Sequence, residues 1–141
     1  KDGTKKMSKS DPSDQSRINM TDDKDLIVSK IKKAKTDSSK LPENDKDIND
    51  RPELKNLYGI FSSVQNQTLE LTINEFKGKN FSEFKNKLAE VLVEKIYPIS
   101  NEINKLLKDE KFIDQILLDG SEKAEAIAKK KVNDIKNIIG F

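Results

Sequence analysis

Apolar residues recur at helical spacing through most of the second half of the sequence. After Pro52 they fall at i, i+3, i+4, i+7 and i+10, which places one face of an α-helix in a core: Leu54, Leu57, Tyr58, Phe61 and Val64. Thr68 then predicts the N-cap of a short helix that carries Ile73 and Phe76, and Gly78 predicts its end. Both helices are expected to bury their apolar faces.

The longest apolar stripe follows these two helices and predicts the central helix of a bundle. Its members are Phe81, Phe84, Leu88, Val91, Leu92, Ile96, Ile99, Ile103 and Leu106. Beyond it, Phe112 and Ile116 predict a short helix that Gly120 closes. Ser121 then predicts the cap of a last helix, whose apolar face is expected to be covered by the bundle and contains Ala124, Ala128, Val132, Ile135 and Ile139.

The first half of the sequence is more polar and less regular. Residues 1–20 keep no helical or strand period and are predicted to form a loop, whereas Thr21, followed by two aspartates, predicts a helix start. Residues 39–52 form a polar linker with almost nothing to bury. No strand pattern occurs, so the prediction is an all-α bundle of five or six helices with a long N-terminal loop, residues 21–141 forming one helical domain.

Composition narrows the possible functions. The 141 residues can bury a core as one domain. The 27 Lys and Arg residues nearly balance the 25 Asp and Glu residues, so contact with nucleic acid must depend on local clusters. The absence of Cys and His from the sequence excludes disulfides, thiolate zinc sites and imidazole catalysis. No apolar run approaches the roughly 20 residues that a membrane span needs.

Two lysine clusters are the candidate RNA contacts. Lysines at a helix C-terminus or on a solvated helix face are also ordinary, so both interpretations stay open. The first cluster contains Lys30, Lys32, Lys33 and Lys35, and the second contains Lys123, Lys129, Lys130, Lys131 and Lys136.

The strongest chemical signal lies near the start of the sequence, in a segment that we call the 6–10 loop. It consists of Lys6, Met7, Ser8, Lys9 and Ser10, and Asp11-Pro12 follows it. Two ammonium groups and two hydroxyls on a short loop suit the oxygens of phosphate groups. The pattern therefore predicts a phosphate-binding site.

The 6–10 loop resembles the KMSKS signature of class I aminoacyl-tRNA synthetases, and with Asp11-Pro12 it looks like the tryptophanyl-tRNA synthetase family. The resemblance continues through nearly the whole chain, in Ser16-Arg17-Ile18, in residues 33–38, in Asn56-Leu57 and in residues 120–124. It implies an enzyme that activates tryptophan with ATP and transfers it to tRNA(Trp). By the resemblance, Lys6 and Lys9 are catalytic, the five loop residues contact ATP, and Mg²⁺ is bound mainly through the phosphates.

The same resemblance implies what the chain lacks. The histidine-containing signature of the family and most of its Rossmann-like catalytic domain are not found, and the sequence does not begin with Met. By this resemblance, the chain looks like the C-terminal part of such a synthetase. It would comprise an ATP-closing loop at residues 1–20 and a helical domain of the anticodon-binding type at residues 21–141. Family members are cytoplasmic homodimers, whereas this chain alone is expected to be monomeric and inactive. The alternative is a stand-alone helical RNA-binding or protein-interaction module with a chance Lys/Ser-rich loop.

Overall fold

The computed structural model of the chain describes residues 3–4, 8 and 10–140. This part of the chain contains five α-helices and no strand, which confirms the all-α prediction. The helices are α1 (Lys24–Lys33), α2 (Pro52–Gln65), α3 (Leu69–Phe76), α4 (Phe81–Leu106) and α5 (Glu110–Ile139). Short 3₁₀ helices occupy Asp14–Ser16 and Asp45–Ile48, and the chain divides into two compact units, Lys1–Asn101 and Glu102–Phe141.

Side-chain caps determine where the helices begin. The Thr68 hydroxyl accepts a hydrogen bond from the backbone N–H of Leu71 at 3.2 Å, so the predicted cap of α3 is confirmed. Helix α1 begins later than Thr21, because the Asp23 carboxylate is its cap and accepts from the N–H of Leu26 at 2.8 Å. Each cap satisfies a backbone donor that has no partner within its helix.

The core of the first unit is built around four aromatic rings. Tyr58 and Phe61 of α2, Phe76 of α3 and Phe84 of α4 are all buried. The Phe84 ring centroid lies 4.5 Å from that of Tyr58 and 4.9 Å from that of Phe76. The apolar faces predicted for α2, for α3 and for the first half of α4 are therefore confirmed as core.

The expectation that residues 39–52 bury almost nothing is wrong. Leu41, Pro42 and Ile48 are all buried, and Leu41 and Ile48 belong to the hydrophobic core. The Asn44 side chain accepts a hydrogen bond from the N–H of Lys46 at 3.0 Å and starts the 3₁₀ helix that ends at Ile48. This single turn brings Ile48 inward, whereas the surrounding charged residues remain exposed.

The second unit differs from its prediction in two ways. Gly120 does not end a helix, since α5 continues through it. An interior Gly costs only about 1 kcal/mol relative to Ala, which good helix formers on either side, such as Leu118 and Glu122, can offset. No residue of α5 is buried, so the expected burial of its apolar face is also wrong. Among the described residues, no helix combines the length and apolarity of a membrane span.

Replacing Tyr58 with Phe should leave the free energy of unfolding unchanged or raise it by up to about 1 kcal/mol, as measured by urea denaturation of the purified chain. The reason is that the buried Tyr58 hydroxyl has no hydrogen-bond partner among the described residues. Burial also raises the pKa of this hydroxyl, so its proton stays in place.

Ser62→Ala is the matched control for this substitution. The buried Ser62 hydroxyl donates to the Tyr58 carbonyl at 2.8 Å and lies 2.8 Å from the Thr72 hydroxyl. Its removal should destabilise the fold by about 1 kcal/mol or more. A comparable destabilisation by Tyr58→Phe would show that the Tyr58 hydroxyl has a partner and would contradict the prediction.

Candidate functional site

Two hydroxyls of the 6–10 loop lie exposed on a tight turn. The Ser8 and Ser10 hydroxyl oxygens are 2.9 Å apart, and the backbone N–H of Ser10 donates to the Ser8 hydroxyl at 3.3 Å. The N–H of Asp11 donates to the Ser8 carbonyl, also at 3.3 Å. Both side chains are exposed to solvent. Lys6, Met7 and Lys9 lie outside the described residues.

Arg17 holds this turn from one side. Its Nη1 donates to the Ser8 carbonyl at 3.3 Å and to the Asp11 carbonyl at 3.4 Å. Its Nε lies 3.1 Å from Oδ1 of Asp14 in the first 3₁₀ helix. The planar guanidinium thus joins two backbone carbonyls and one carboxylate, an arrangement that its fixed fork of donors permits.

A buried ammonium lies behind Asp14. Nζ of Lys30, in α1, is 2.6 Å from Oδ2 of Asp14 and 2.6 Å from Oδ2 of Asp22. The side chains of Lys30 and Asp22 are only 3% and 4% exposed. Burial opposes the charge on Lys30, but the hydrogen bonds to the two carboxylates outweigh it and raise the pKa of the ammonium.

Lys30 is therefore not a surface lysine, and its assignment to the first candidate RNA cluster is wrong. Lys32 and Lys33 of the same cluster are exposed. Lys35 is also exposed, and its Nζ lies 2.8 Å from the Glu53 carboxylate. The first cluster thus presents less positive charge to a partner than its sequence indicates.

Neutral donors complete the network around the two aspartates. The Asn19 amide nitrogen donates to both carboxylate oxygens of Asp14, at 2.8 and 3.0 Å, and its backbone N–H donates to Asp22 at 2.9 Å. The Ser100 hydroxyl of α4 donates to the Asp22 backbone carbonyl at 2.6 Å. The network therefore connects the segment after the 6–10 loop to α1 and α4 of the same unit.

On the other side of the 6–10 loop, Gly3 lies directly against the start of α2. A Cβ at this position would lie 2.5 Å from the carbonyl carbon of Pro52 and 2.6 Å from the backbone nitrogen of Glu53. The pKa of Glu53 is lowered mainly by its hydrogen bond with Lys35, and the Gly3 N–H also contributes. Only Gly permits such a close backbone approach.

The remaining candidate surface is the second lysine cluster, on α5. All of its lysines are exposed, and Lys129 is 2.7 Å from the Glu125 carboxylate one turn earlier. The described residues contain no group of three or more His, Cys, Asp or Glu side chains placed to hold a metal ion.

The contributions of Asp14, Arg17 and Lys30 were not predicted from the sequence. One local signal was present for Lys30, which lies three residues after Ile27 and next to Ile31, on the buried face of α1. No local pattern indicates that its partner Asp14 lies 16 residues away in the sequence.

Comparison with known proteins identifies the family of the chain. The sequence model of a family described as tRNA synthetases class I (W and Y) matches residues 1–97. A protein of Agrobacterium fabrum named Tryptophan--tRNA ligase is 50% identical over the whole chain. Proteins of the same name from Brucella melitensis and Rhizobium meliloti are each 47% identical, also over the whole chain. The chain spans about 40% of the length of each of these relatives.

The chain therefore belongs to the class I tRNA synthetases of the tryptophan and tyrosine group. Within this group, the relatives compared are tryptophan–tRNA ligases. Their similarity along the whole chain excludes an unrelated helical module that carries a chance Lys/Ser-rich loop.

The network should make the fold sensitive to acid. The hydrogen bond from Lys30, followed by that from Asn19, lowers the pKa of Asp14 below its ordinary value of 3.8. The ionised Asp14 carboxylate therefore stabilises the fold fully at pH values above 3.8. This stabilisation disappears as the pH falls through the lower pKa that Asp14 has in the folded state. The difference in free energy of unfolding between the wild-type chain and Asp14→Asn should therefore narrow as the pH falls from 7 toward 3.

Urea denaturation of both chains at a series of pH values measures this difference. A difference that stays constant down to the lowest pH at which both chains fold would show that the charge of Asp14 does not stabilise the structure.

Proposed function

We propose that the protein containing this chain activates tryptophan with ATP and transfers it to tRNA(Trp). We also propose that this chain supplies a phosphate-binding loop and a helical RNA-binding region. The observation that carries the proposal is the 50% identity, over the whole chain, with a protein named Tryptophan--tRNA ligase. The exposed Ser8 and Ser10 hydroxyls support the role of the loop.

In the proposed first step, a carboxylate oxygen of tryptophan attacks the α-phosphorus of ATP. The bond from this phosphorus to the bridging oxygen breaks, and pyrophosphate leaves with the electron pair. Negative charge therefore grows on the leaving group in the transition state. Ammonium groups placed against it lower the barrier by electrostatic stabilisation, without a proton transfer. We assign this role to Lys6 and Lys9, with Lys9 contributing more.

The other loop residues bind the nucleotide in this proposal. The Ser8 and Ser10 hydroxyls donate to phosphate oxygens, and the backbone near Met7 approaches the adenine. Mg²⁺ is bound mainly through the phosphates, whose oxygens are the hard ligands that this ion prefers.

Tryptophan binding and the other class I signature belong to parts of the enzyme outside this chain. We therefore expect the isolated chain to form no adenylate and to be monomeric. The intact enzyme is expected to work as a homodimer in the cytoplasm, with tRNA contacting the helical region.

Lys9→Ala in the intact enzyme should slow tryptophan activation by at least about tenfold, because the substitution removes one charge-stabilising donor from the transition state. ATP–pyrophosphate exchange measures the rate. Tryptophan affinity should change less than the rate. Lys32→Ala, which removes an exposed lysine of α1, is the control and should leave the rate unchanged. Equal reductions of rate and tryptophan affinity in Lys9→Ala would argue that Lys9 shapes the fold.

Charge reversal of Lys129, Lys130 and Lys131 to Glu should weaken tRNA binding and flatten its dependence on salt. Fewer lysines would then neutralise phosphates of the RNA, so binding would release fewer counterions. Filter binding over a range of salt concentrations measures both quantities.

The matched control reverses three exposed lysines of α4, Lys87, Lys95 and Lys105, which changes the net charge by the same amount. An equal effect of the two triple substitutions on tRNA affinity would show that binding depends only on the net charge of the protein. Unchanged affinity in the α5 variant would move the RNA surface away from α5.

A further inference from the structure

Helix α5 carries apolar side chains that are exposed along its whole length. None of its residues is buried, and Ile127 and Ile138 are 72% and 82% exposed. Most of the stability of a helix in a folded protein comes from the packing of its apolar face. The exposed apolar face of this 30-residue helix therefore indicates a partner outside the described residues.

The apolar positions of α5 repeat every 11 residues. Ile113, Ile116 and Leu117 form the first repeat, and the residues 11 and 22 positions after each of them are also apolar. We call these nine residues the α5 stripe. An 11-residue repeat has about 3.67 residues per turn, close to the value of a straight helix, so the stripe runs almost parallel to the helix axis. Two such helices can contact each other over their whole length.

The charges of α5 are separated along its length. Residues 110–122 contain four acidic residues and one lysine, whereas residues 123–139 contain five lysines and two acidic residues. The two halves therefore carry net charges of −3 and +3. A second α5 that runs antiparallel places the acidic half of each helix against the basic half of the other, whereas a parallel copy places like charges together.

We infer that α5 is an interface for a second copy of this chain, and that the two α5 helices pair antiparallel through their stripes. The stripe supplies the apolar contact, and the separated charges determine the identity and direction of the partner. The inference does not depend on the proposed function.

Pairing about Ala124, near the midpoint of α5, gives a self-complementary register. It sets Ile113 of each copy opposite Ile135 of the other, and Gly120 of each opposite Ala128 of the other. Small residues thus meet small residues at the centre, where the two backbones can approach closely, and larger side chains meet toward the ends.

Lys131 lies beside the stripe, three residues after Ala128. In the same register it is opposite Leu117 of the second copy, within the acidic half. Its long apolar stem can lie along the stripe while its ammonium reaches that acidic half. Lys131 is therefore compatible with the antiparallel pair.

A single pair of helices is a small interface, so the pairing should be weak, with a dissociation constant of about 100 μM. The isolated chain is then still monomeric at low micromolar concentration, as expected above.

Sedimentation equilibrium of the purified chain, from about 5 μM to about 1 mM, tests the inference. The average mass should rise from that of a monomer toward that of a dimer. Ile127→Asp should raise the dissociation constant by at least about tenfold, because pairing would bury an unpaired carboxylate. Leu71→Asp, which changes an exposed apolar residue of α3, is the matched control and should leave the constant unchanged.

Disulfide formation measures the direction of the pair, since the chain contains no Cys. Oxidation of a mixture of Ile113→Cys and Ile135→Cys chains should give mainly the mixed disulfide, and each variant alone should give little product. Added NaCl should weaken the pairing, because it screens the attraction between the opposite halves. If circular dichroism shows that Ile127→Asp loses helix, the cysteine mixture alone decides.

Several results would overturn the inference. A chain that stays monomeric up to about 1 mM would exclude the pairing. Disulfides within each single variant, in place of the mixed product, would show a parallel pair. An equal effect of Leu71→Asp would place the contact outside α5. A monomeric chain whose α5 amides are protected from hydrogen exchange only in the intact enzyme would assign the stripe to the remainder of that enzyme.

Discussion

The structure around the 6–10 loop depends on one buried cation. The ammonium of Lys30 contacts Asp14 and Asp22 at 2.6 Å each, within a helix face that otherwise packs against the core. Removing one partner of a buried ion pair typically lowers the stability of a fold by about 3 to 5 kcal/mol, because the remaining charge is still buried but has lost the opposite charge that offset the cost of its burial. The two aspartates come from the segment before α1, so this cation determines where that segment lies. Asn19 and Arg17 contact these two aspartates, and Arg17 in turn contacts the carbonyls of Ser8 and Asp11.

The proposed phosphate-binding role makes two demands on the segment that contains Ser8 and Ser10. Side chains that meet the ligand have to stay exposed, as Ser8 and Ser10 are, and exposed loops are usually mobile. Arg17 contacts the carbonyls of Ser8 and Asp11, and Gly3 lies against α2, while the Ser8 and Ser10 side chains remain exposed. The two hydroxyls therefore lie on the surface, 2.9 Å from each other.

Most of the helical architecture could be predicted from the sequence because its signals are local. The apolar faces of α2 and α3 repeat with the helical period, and Thr68 is a local cap. The predictions that were wrong have a different origin. Gly120 is typical of a helix end, but α5 continues through it. Ile48 is buried by a four-residue 3₁₀ helix, which is too short to show a helical period in the sequence. The charge pattern places Lys30 among solvated lysines, whereas its burial depends on carboxylates that are distant in sequence.

Our central proposal is that this chain belongs to an enzyme that activates tryptophan and not tyrosine, the other amino acid in the description of its family. The most direct measurement is ATP–pyrophosphate exchange by the intact enzyme with each amino acid in turn. We predict exchange that depends on tryptophan and is not supported by tyrosine at the same concentration. Exchange supported by tyrosine, or by neither amino acid, would contradict the claim.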